Sequence, residues 1–419
     1  MIPAHKKLRI IVGGMVGQYP YGGVAWDYFH YCLALHELGH DVYYHEDTWC
    51  WPFDPTLGYV TDKPDHTVAF ISDFFNRYAP ALKEKWHYLL LHEKSFGMTR
   101  EAFDEVAKTA DIFLNVSGAC FIPENLNPKC LKVFMDTDPG YNQFVLSEKY
   151  AWSQHVDRWC ETVAAHDRHL TYAENIYGDD CVIPRMNFDW QPTRCVVTLP
   201  SWDQLRQTPI PANAPLTTVM TLGYFKGIVS YQGKAYDSKV PEYMKFRHLR
   251  QKTNVPIKLG ITGDKVPAEE ITGLGWDTID AQQATITTPG YMKLISDSAG
   301  EWSIAKNVYV ATNSGWFSCR TACYLAAGRP AVVQDTAWSK FIPSGNGVIA
   351  FSTMEEAVAG VEEVHANAKK HQAAAYDIAR EYLAPDKVLP PMIEAIYATP
   401  RTNPTTPGPV APSKTTAAK

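Results

Sequence analysis

A chain of 419 residues, 46% hydrophobic and 20% charged, is long enough for two domains of ordinary size and apolar enough to give each a core, which excludes a disordered protein. Its formal charge of −6 argues against a naked polyanion such as duplex DNA as the main partner, while leaving room for a local basic pocket. No run of about 18 apolar residues occurs, so no transmembrane segment is expected, and the nine scattered cysteines without a CxxC pair read as free thiols of a cytoplasmic protein.

Lys6, Lys7 and Arg9 lead into a short β-branched run that breaks into glycines with no small-residue cleavage site. Residues 8–12 therefore read as a first strand, not a signal peptide. Gly13, Gly14 and Gly17 follow, and a loop runs to Gly22-Gly23. From 24 to 38 the apolar residues Val24, Tyr28, Tyr31, Cys32, Leu35 and Leu38 recur at helical spacing, with Gly39 placed to stop the helix. Asp41-Val42-Tyr43-Tyr44 reads as the second strand. Such a β-α-β unit implies a parallel sheet whose site lies beyond the carboxyl ends of its strands.

His36-Glu37-Leu38-Gly39-His40 matches the HExxH pattern of zinc peptidases. Zinc ligation needs both histidines on one helical face and a third ligand later. Gly39 falls where the helix should stop, so His40 is expected beyond its end and no metal site is expected. The glycines do not make a GxGxxG fingerprint, although Glu46 and Asp47 end the second strand, where a dinucleotide's ribose would be held. Gly22-Gly23 either lets a phosphate approach the helix N-terminus or merely permits the turn.

Further strands are expected at Ile112–Val116 and residues 131–135, with a helix near 100–109. Asp136-Thr137-Asp138 comes next, either a carboxylate pair able to share a hard cation or, with Pro139-Gly140 following, a turn. Trp26, Trp49, Trp51, Trp86, Trp152, Trp159 and Trp190 enrich this half in rings that stack on sugars or fill a core, with the core reading favoured for most.

Periodicity lapses before residues 207–215, whose proline-rich composition is that of a linker. Strands expected at 217–222, 257–261 and Ala331–Gln334 repeat the α/β logic. Between Glu301 and Trp338 a small-residue loop, Ser314-Gly315, leads into a helix that Ser318 is placed to cap and Gly328 to end. Arg320 in the first turn runs against the helix dipole unless it serves an anion. Residues 355–384 form an amphipathic, Ala-rich stretch, followed after Pro390-Pro391 by a short helix near 392–398; from Pro400 the composition predicts disorder.

The strand, Gly-Gly loop, helix and Leu-Gly-His-Asp-Val strand of residues 8–44, with Ser-Gly-Trp-Phe-Ser and Ala-Cys-Tyr-Leu-Ala-Ala-Gly-Arg-Pro-Ala-Val-Val at 314–333, resemble the GT-B superfamily of glycosyltransferases, bacterial family 1 and family 4 types above all. The resemblance implies an α/β fold of two Rossmann-like parallel-sheet domains facing a cleft, with C-terminal helices crossing back to the first domain. The division expected is an acceptor domain at 1–205, a linker at 206–216, a nucleotide-sugar domain at 217–372, crossing helices at 373–399 and a tail at 400–419. It also implies a UDP-, GDP- or dTDP-sugar donor as co-substrate, an unidentified acceptor hydroxyl, and neither metal nor other cofactor. On that resemblance Ser314, Gly315 and Ser318 cradle the diphosphate, and Trp316 also binds the donor. Arg320 and Lys306 neutralise it beside Glu301, and Lys226 or Lys234 adds a further cation. Gly13, Gly14, Gly22 and Gly23 approach the donor, and Asp27 or Asp138 is the general base of an inverting reaction.

Two departures hold back a subfamily assignment. Gly315 and Cys323 stand near the places of the two family 4 glutamates, and Asn313 and Thr321 near those of the plant-type His and acid. Alternatives within the fold are a nucleotide-sugar epimerase or hydrolase, or a non-catalytic nucleotide-sugar binder; an HExxH zinc peptidase is the remote one.

Overall fold

The computed structural model describes residues 6–148, 156–223, 229–263 and 268–398. Lys226, Trp152 and the tail from residue 400 lie outside the described residues. β1 (Arg9–Gly13) and β2 (Asp41–Glu46) flank the first helix, Gly22–Glu37. The small hairpin of β3 (Phe53–Asp54) and β4 (Tyr59–Val60) follows. β5 (Trp86–Leu90), β6 (Lys94–Gly97), β7 (Ile112–Val116), β8 (Leu131–Asp136), β9 (Arg168–Thr171) and β10 (Trp190–Pro192) complete the first half. Its eight-stranded sheet runs β10-β9-β8-β7-β1-β2-β5-β6 and is parallel except for the antiparallel edge strand β6.

β1 shows why the sheet is buried on both faces. Ile10 and Val12 point into a core with Trp26, Phe29 and Phe74, while Ile11 points the other way, toward Phe103 and Phe113. Alternate side chains of a strand face opposite sides, so a continuous apolar run suits a strand covered twice. Gly39, at φ +90°, ends the first helix as expected, and the His40 amide donates to Leu35 O. His40 sits in the turn, its Nδ1 accepting from the Leu8 amide at 3.3 Å, and is off the helical face of His36. Among the described residues no group of three His, Cys, Asp or Glu is placed to hold a metal ion.

Residues 208–215 lead from the short Asp203–Gln207 helix into β11 (Leu216–Thr221). The hairpin of β12 (Val229–Tyr231) and β13 (Lys234–Tyr236) lies apart from the second sheet. That sheet comprises β11, β14 (Ile257–Thr262), β15 (Asp277–Ile279), β16 (Gly300–Ser303), β17 (Ala331–Gln334) and β18 (Val348–Phe351), in the order β15-β14-β11-β16-β17-β18 and parallel throughout.

The Ala-rich stretch is two helices, Met354–Ala366, opened by a Thr353–Glu356 capping box, and Ala368–Ile378, followed by one π-helical turn, Ala379–Leu383. The final helix is longer than expected: Pro385–Tyr397 contains both Pro390 and Pro391. Both prolines are solvent-exposed, so the backbone bonds they forgo lie on the side where water replaces them. This helix packs on the first helix, the Arg168 Nε donates to Ile396 O at 2.8 Å, and Val197 N donates to Leu383 O at 2.9 Å. The C-terminal helices thus return to the first half. No helix among the described residues is long and apolar enough to cross a membrane.

Candidate active site

The carboxyl ends of both sheets meet across a cleft. On the first side, β8 delivers Asp136 and Asp138. They do not share a cation site. Asp136 is fully buried and accepts from Asn142 Nδ2 (2.6 Å), Gln143 Nε2 (2.7 Å), Thr171 Oγ1 (2.7 Å) and the Asp138 amide (3.1 Å). Burial raises its pKa, and those donors offset part of the rise. Asp138 faces the cleft instead, where Lys306 donates to both its oxygens at 2.9 and 3.0 Å and the Tyr309 hydroxyl donates to Oδ1.

Glu46 and Asp47, the ribose candidates, are also committed. Glu46 accepts from the Gly17 amide (2.6 Å), the Gln18 amide (2.7 Å) and the Tyr44 hydroxyl (2.7 Å), so it fastens the glycine loop to the end of β2. Its pKa is pushed up to about 7 by burial. Asp47 is bonded to His92 Nδ1 at 2.5 Å.

Protein neighbours by themselves account for the small size of these glycines. A Cβ on Gly13 would stand 3.0 Å from the Phe113 ring, and one on Gly14 2.8 Å from both Tyr28 and Tyr44. Gly22 is pressed against the second half: its Cβ would meet Thr287 O and Tyr291 Cβ, both at 2.6 Å. Gly23 faces the Tyr291 ring at 3.4 Å. Thr288–Ser296, the helix that carries Tyr291, lies across the start of the first helix.

Asp27, one turn into that helix, is the half-buried carboxylate at this seam. Its pKa is raised to about 6 by burial, with the Cys319 thiol hydrogen-bonded to it pulling the other way. Its Oδ1 is buried without a hydrogen-bond partner among the described residues. Cys319 opens the Cys319–Ala326 helix of the second half, so Asp27 faces that helix's amino end.

Around that end, Ser318 occupies the N-cap position but its side chain makes no capping bond, contrary to expectation. A cavity of about 20 Å³, room for one water, is lined by Ser318, Trp316, Thr321, Ser303 and Gln334. Ser314 and Gly315 do not form an open loop. Ser314 O accepts from the Asn175 amide at 3.0 Å, and Gly315, at φ +81°, leaves only 2.6 Å between a Cβ and Asn175 N. Here glycine is required twice, by its conformation and by the close approach of the first half. Trp316 stacks on Tyr309 at 4.4 Å and donates from Nε1 to Thr137 O at 3.2 Å.

Arg320 is structural at its core, which corrects a role as a free neutralising cation. It donates to Glu301 Oε1 (2.7 Å), Ser303 Oγ (2.5 Å) and Val219 O (2.6 Å). Burial would lower its pKa, but the adjoining Glu301, itself fully buried, reverses the sign and raises it. Lys234 is exposed on the β12–β13 hairpin, 5.3 Å over the Tyr236 ring.

The residue that sequence reasoning missed is Lys239. It precedes the Val240–Phe246 helix, and no described residue pairs or hydrogen-bonds with its ammonium. Burial first, then the charges of Arg320 and Lys306, hold its pKa well below that of an ordinary lysine. Lys239, Lys306 and Arg320 thus form one cationic cluster at the end of β16, opposed within it by Glu301. The signal existed in the sequence: a lysine at the N-cap runs against the dipole as Arg320 does.

No protein-family model and no curated protein matches the chain. Solved structures do. An alpha-glucosyltransferase in complex with UDP aligns at a TM-score of 0.55 with 12% identity, over 94% of this chain and 100% of that one. An alpha-glucosyltransferase with UDP and a 13-mer DNA containing a HMU base gives 0.56, 12%, 94% and 100%. One with UDP and a 13-mer DNA containing a central A:G mismatch gives 0.55, 12%, 94% and 100%. These are GT-B glycosyltransferases, and the chain has the GT-B fold.

Proposed function

We propose that the protein transfers a sugar from a nucleoside diphosphate sugar to an acceptor hydroxyl, the second half holding the donor and the first the acceptor. The observation that carries this reading is the convergence of Lys239, Lys306 and Arg320 at the carboxyl end of β16, near the helix whose start touches Asp27. Glu301 pairs Arg320 and Asp138 pairs Lys306, so Lys239 leaves the cluster one positive charge in excess, which an arriving anion balances. A diphosphate supplies that anion, and it gains charge as the glycosidic bond breaks, so fixed cations favour the transition state over the ground state.

Lys239 contributes the charge that is unpaired among the described residues, and Lys306 is within reach of both Asp138 and an arriving phosphate. Arg320 acts at one remove, holding Glu301 and Ser303 beneath the site. Neutralisation by these side chains supports a reaction without a divalent metal, and the Asp136 carboxylate is saturated by protein donors. Asp27 is the group able to take the acceptor proton in an inverting reaction, since a pKa near 6 keeps it charged yet basic at neutral pH. Asp138 is already held by Lys306 and Tyr309.

The UDP bound in the similar alpha-glucosyltransferase structures supports a uridine donor. The charge of −6 favours a glycan, lipid or small molecule as acceptor, and the DNA named in two neighbours puts DNA in the test panel. The test is thermal unfolding with UDP-, GDP- and dTDP-sugars in the presence of EDTA, followed by nucleotide release with acceptors. A stabilising shift that EDTA leaves intact is expected. No shift with any nucleotide sugar would overturn the reading.

A further inference from the structure

On the opposite edge of the second sheet, at the amino ends of its strands, a cavity of about 590 Å³ lies between the linker, the Gly328-Arg329 turn into β17 and the Ala368–Ile378 helix. Its walls carry four cations, Arg206, Arg329, Lys369 and Arg380, against one acid, Asp377.

Their pairings leave a surplus of positive charge. Arg380 bonds Asp377 and Glu381, and Arg206 lies 3.5 Å from Asp203 and 4.3 Å over the Tyr376 ring. Lys369 is exposed and has no hydrogen-bond or ion-pair partner among the described residues. Arg329 is the telling member. At 2% exposure it donates only to the carbonyls of Ala327, Thr208 and Ser296, touches no carboxylate, and leaves Nε buried without a partner. A guanidinium buried against neutral acceptors is costly, and the cost is relieved when an anion reaches it.

We propose that this cavity binds a phosphate group, as a small phosphate ester or as inorganic phosphate. Three guanidinium forks and an ammonium suit a tetrahedral dianion better than a single carboxylate, and the volume matches a ligand of sugar-phosphate size. The site is separate from the catalytic cleft, which lies at the carboxyl ends of the same strands. An anion there ties the linker to the helices that return to the first half, the two routes by which the chain crosses between its halves.

The test is calorimetric titration of the intact protein with inorganic phosphate, glucose 6-phosphate and uncharged glucose at constant ionic strength. Phosphate and its ester are expected to bind and glucose not to. Lys369→Ala combined with Arg380→Ala, both at exposed helical positions that accept alanine, is expected to weaken that binding about tenfold or more. Lys239→Ala in the catalytic cluster is expected to leave it within about twofold. Tighter binding of the ester by about tenfold assigns the site to a phosphorylated metabolite; equal binding assigns it to free phosphate. Unchanged affinity in the Lys369→Ala/Arg380→Ala protein, or loss in Lys239→Ala instead, would sink the proposal.

Discussion

Lys306 and Asp138 join the two halves of the molecule through a two-oxygen ion pair, at 2.9 and 3.0 Å, across the mouth of the cleft. On the proposed function, Asp138 and the donor phosphate compete for the Lys306 ammonium. Lys306→Ala should weaken UDP binding about tenfold, roughly 1.4 kcal/mol. Asp138→Asn should have the opposite sign, tightening UDP severalfold because the competitor's charge is gone. Calorimetry on both variants decides it; two changes of the same sign would refute the competition.

Lys239 should be the most sensitive cation for donor binding, because it has no partner among the described residues to lose. Lys239→Met keeps the apolar stem and removes the charge. The expected outcome is at least about a tenfold loss of UDP affinity with no fall in unfolding temperature, since an ammonium crowded by Arg320 and Lys306 costs the empty protein stability. A stability loss equal to that of a core substitution would show that Lys239 is a packing residue.

Asp27→Asn should reduce transfer by about a hundredfold or more while UDP affinity changes less than about twofold. In the unsubstituted protein the rate should fall as pH drops through about 6, where Asp27 takes up its proton. Stability carries the same titration with a defined sign. The folded pKa of about 6 exceeds the reference value of 3.8, so this carboxyl's favourable contribution is complete below about pH 4 and is lost as pH rises through 6. The asparagine variant should show a smaller drop in unfolding temperature between pH 4.5 and 7.5, and an unchanged pH profile would count against Asp27 as the base.

Glu301 and Arg320 should behave as a structural pair. Glu301 is 0% and Arg320 16% exposed at the side chain, so Arg320→Ala strands a buried carboxylate at a cost of about 3–5 kcal/mol. The double variant Glu301→Leu/Arg320→Met should recover much of that loss. Denaturant unfolding of the three proteins measures it, and additive losses would contradict a pair.

How far the sequence was legible follows from how local each signal is. β1, the first helix and β2 could be read because their periodicities and Gly39 lie within about forty residues. β5 escaped notice: Trp-His-Tyr-Leu-Leu has no alternation, and His87 belongs in the core only because it meets His45 at 3.1 Å from another strand. The last helix was cut short at Pro390-Pro391 because nothing in the chain tells which face of that helix water covers. In the site, Arg320 stood out as a cation at the wrong end of a helix, yet its partner sits nineteen positions earlier on β16 and only the fold joins them. In the sequence Gly22, Gly23 and Gly315 read as room for a ligand, whereas Tyr291 and Asn175 from the opposite half press against them. Glycine reports that something comes close, and says nothing of what.

The same close approach at Gly22 gives the molecule an axle. The first helix is touched by Thr288–Ser296, by Cys319–Ala326 and by the last helix, so one rod of the first half is gripped on several sides by the second. A turn of the halves about that rod moves each group in proportion to its distance from it. Asp27, on the rod, would keep its place beside Cys319 through such a swing, while a bridge between the halves away from the rod, such as the exposed Lys340–Asp180 pair, would be displaced.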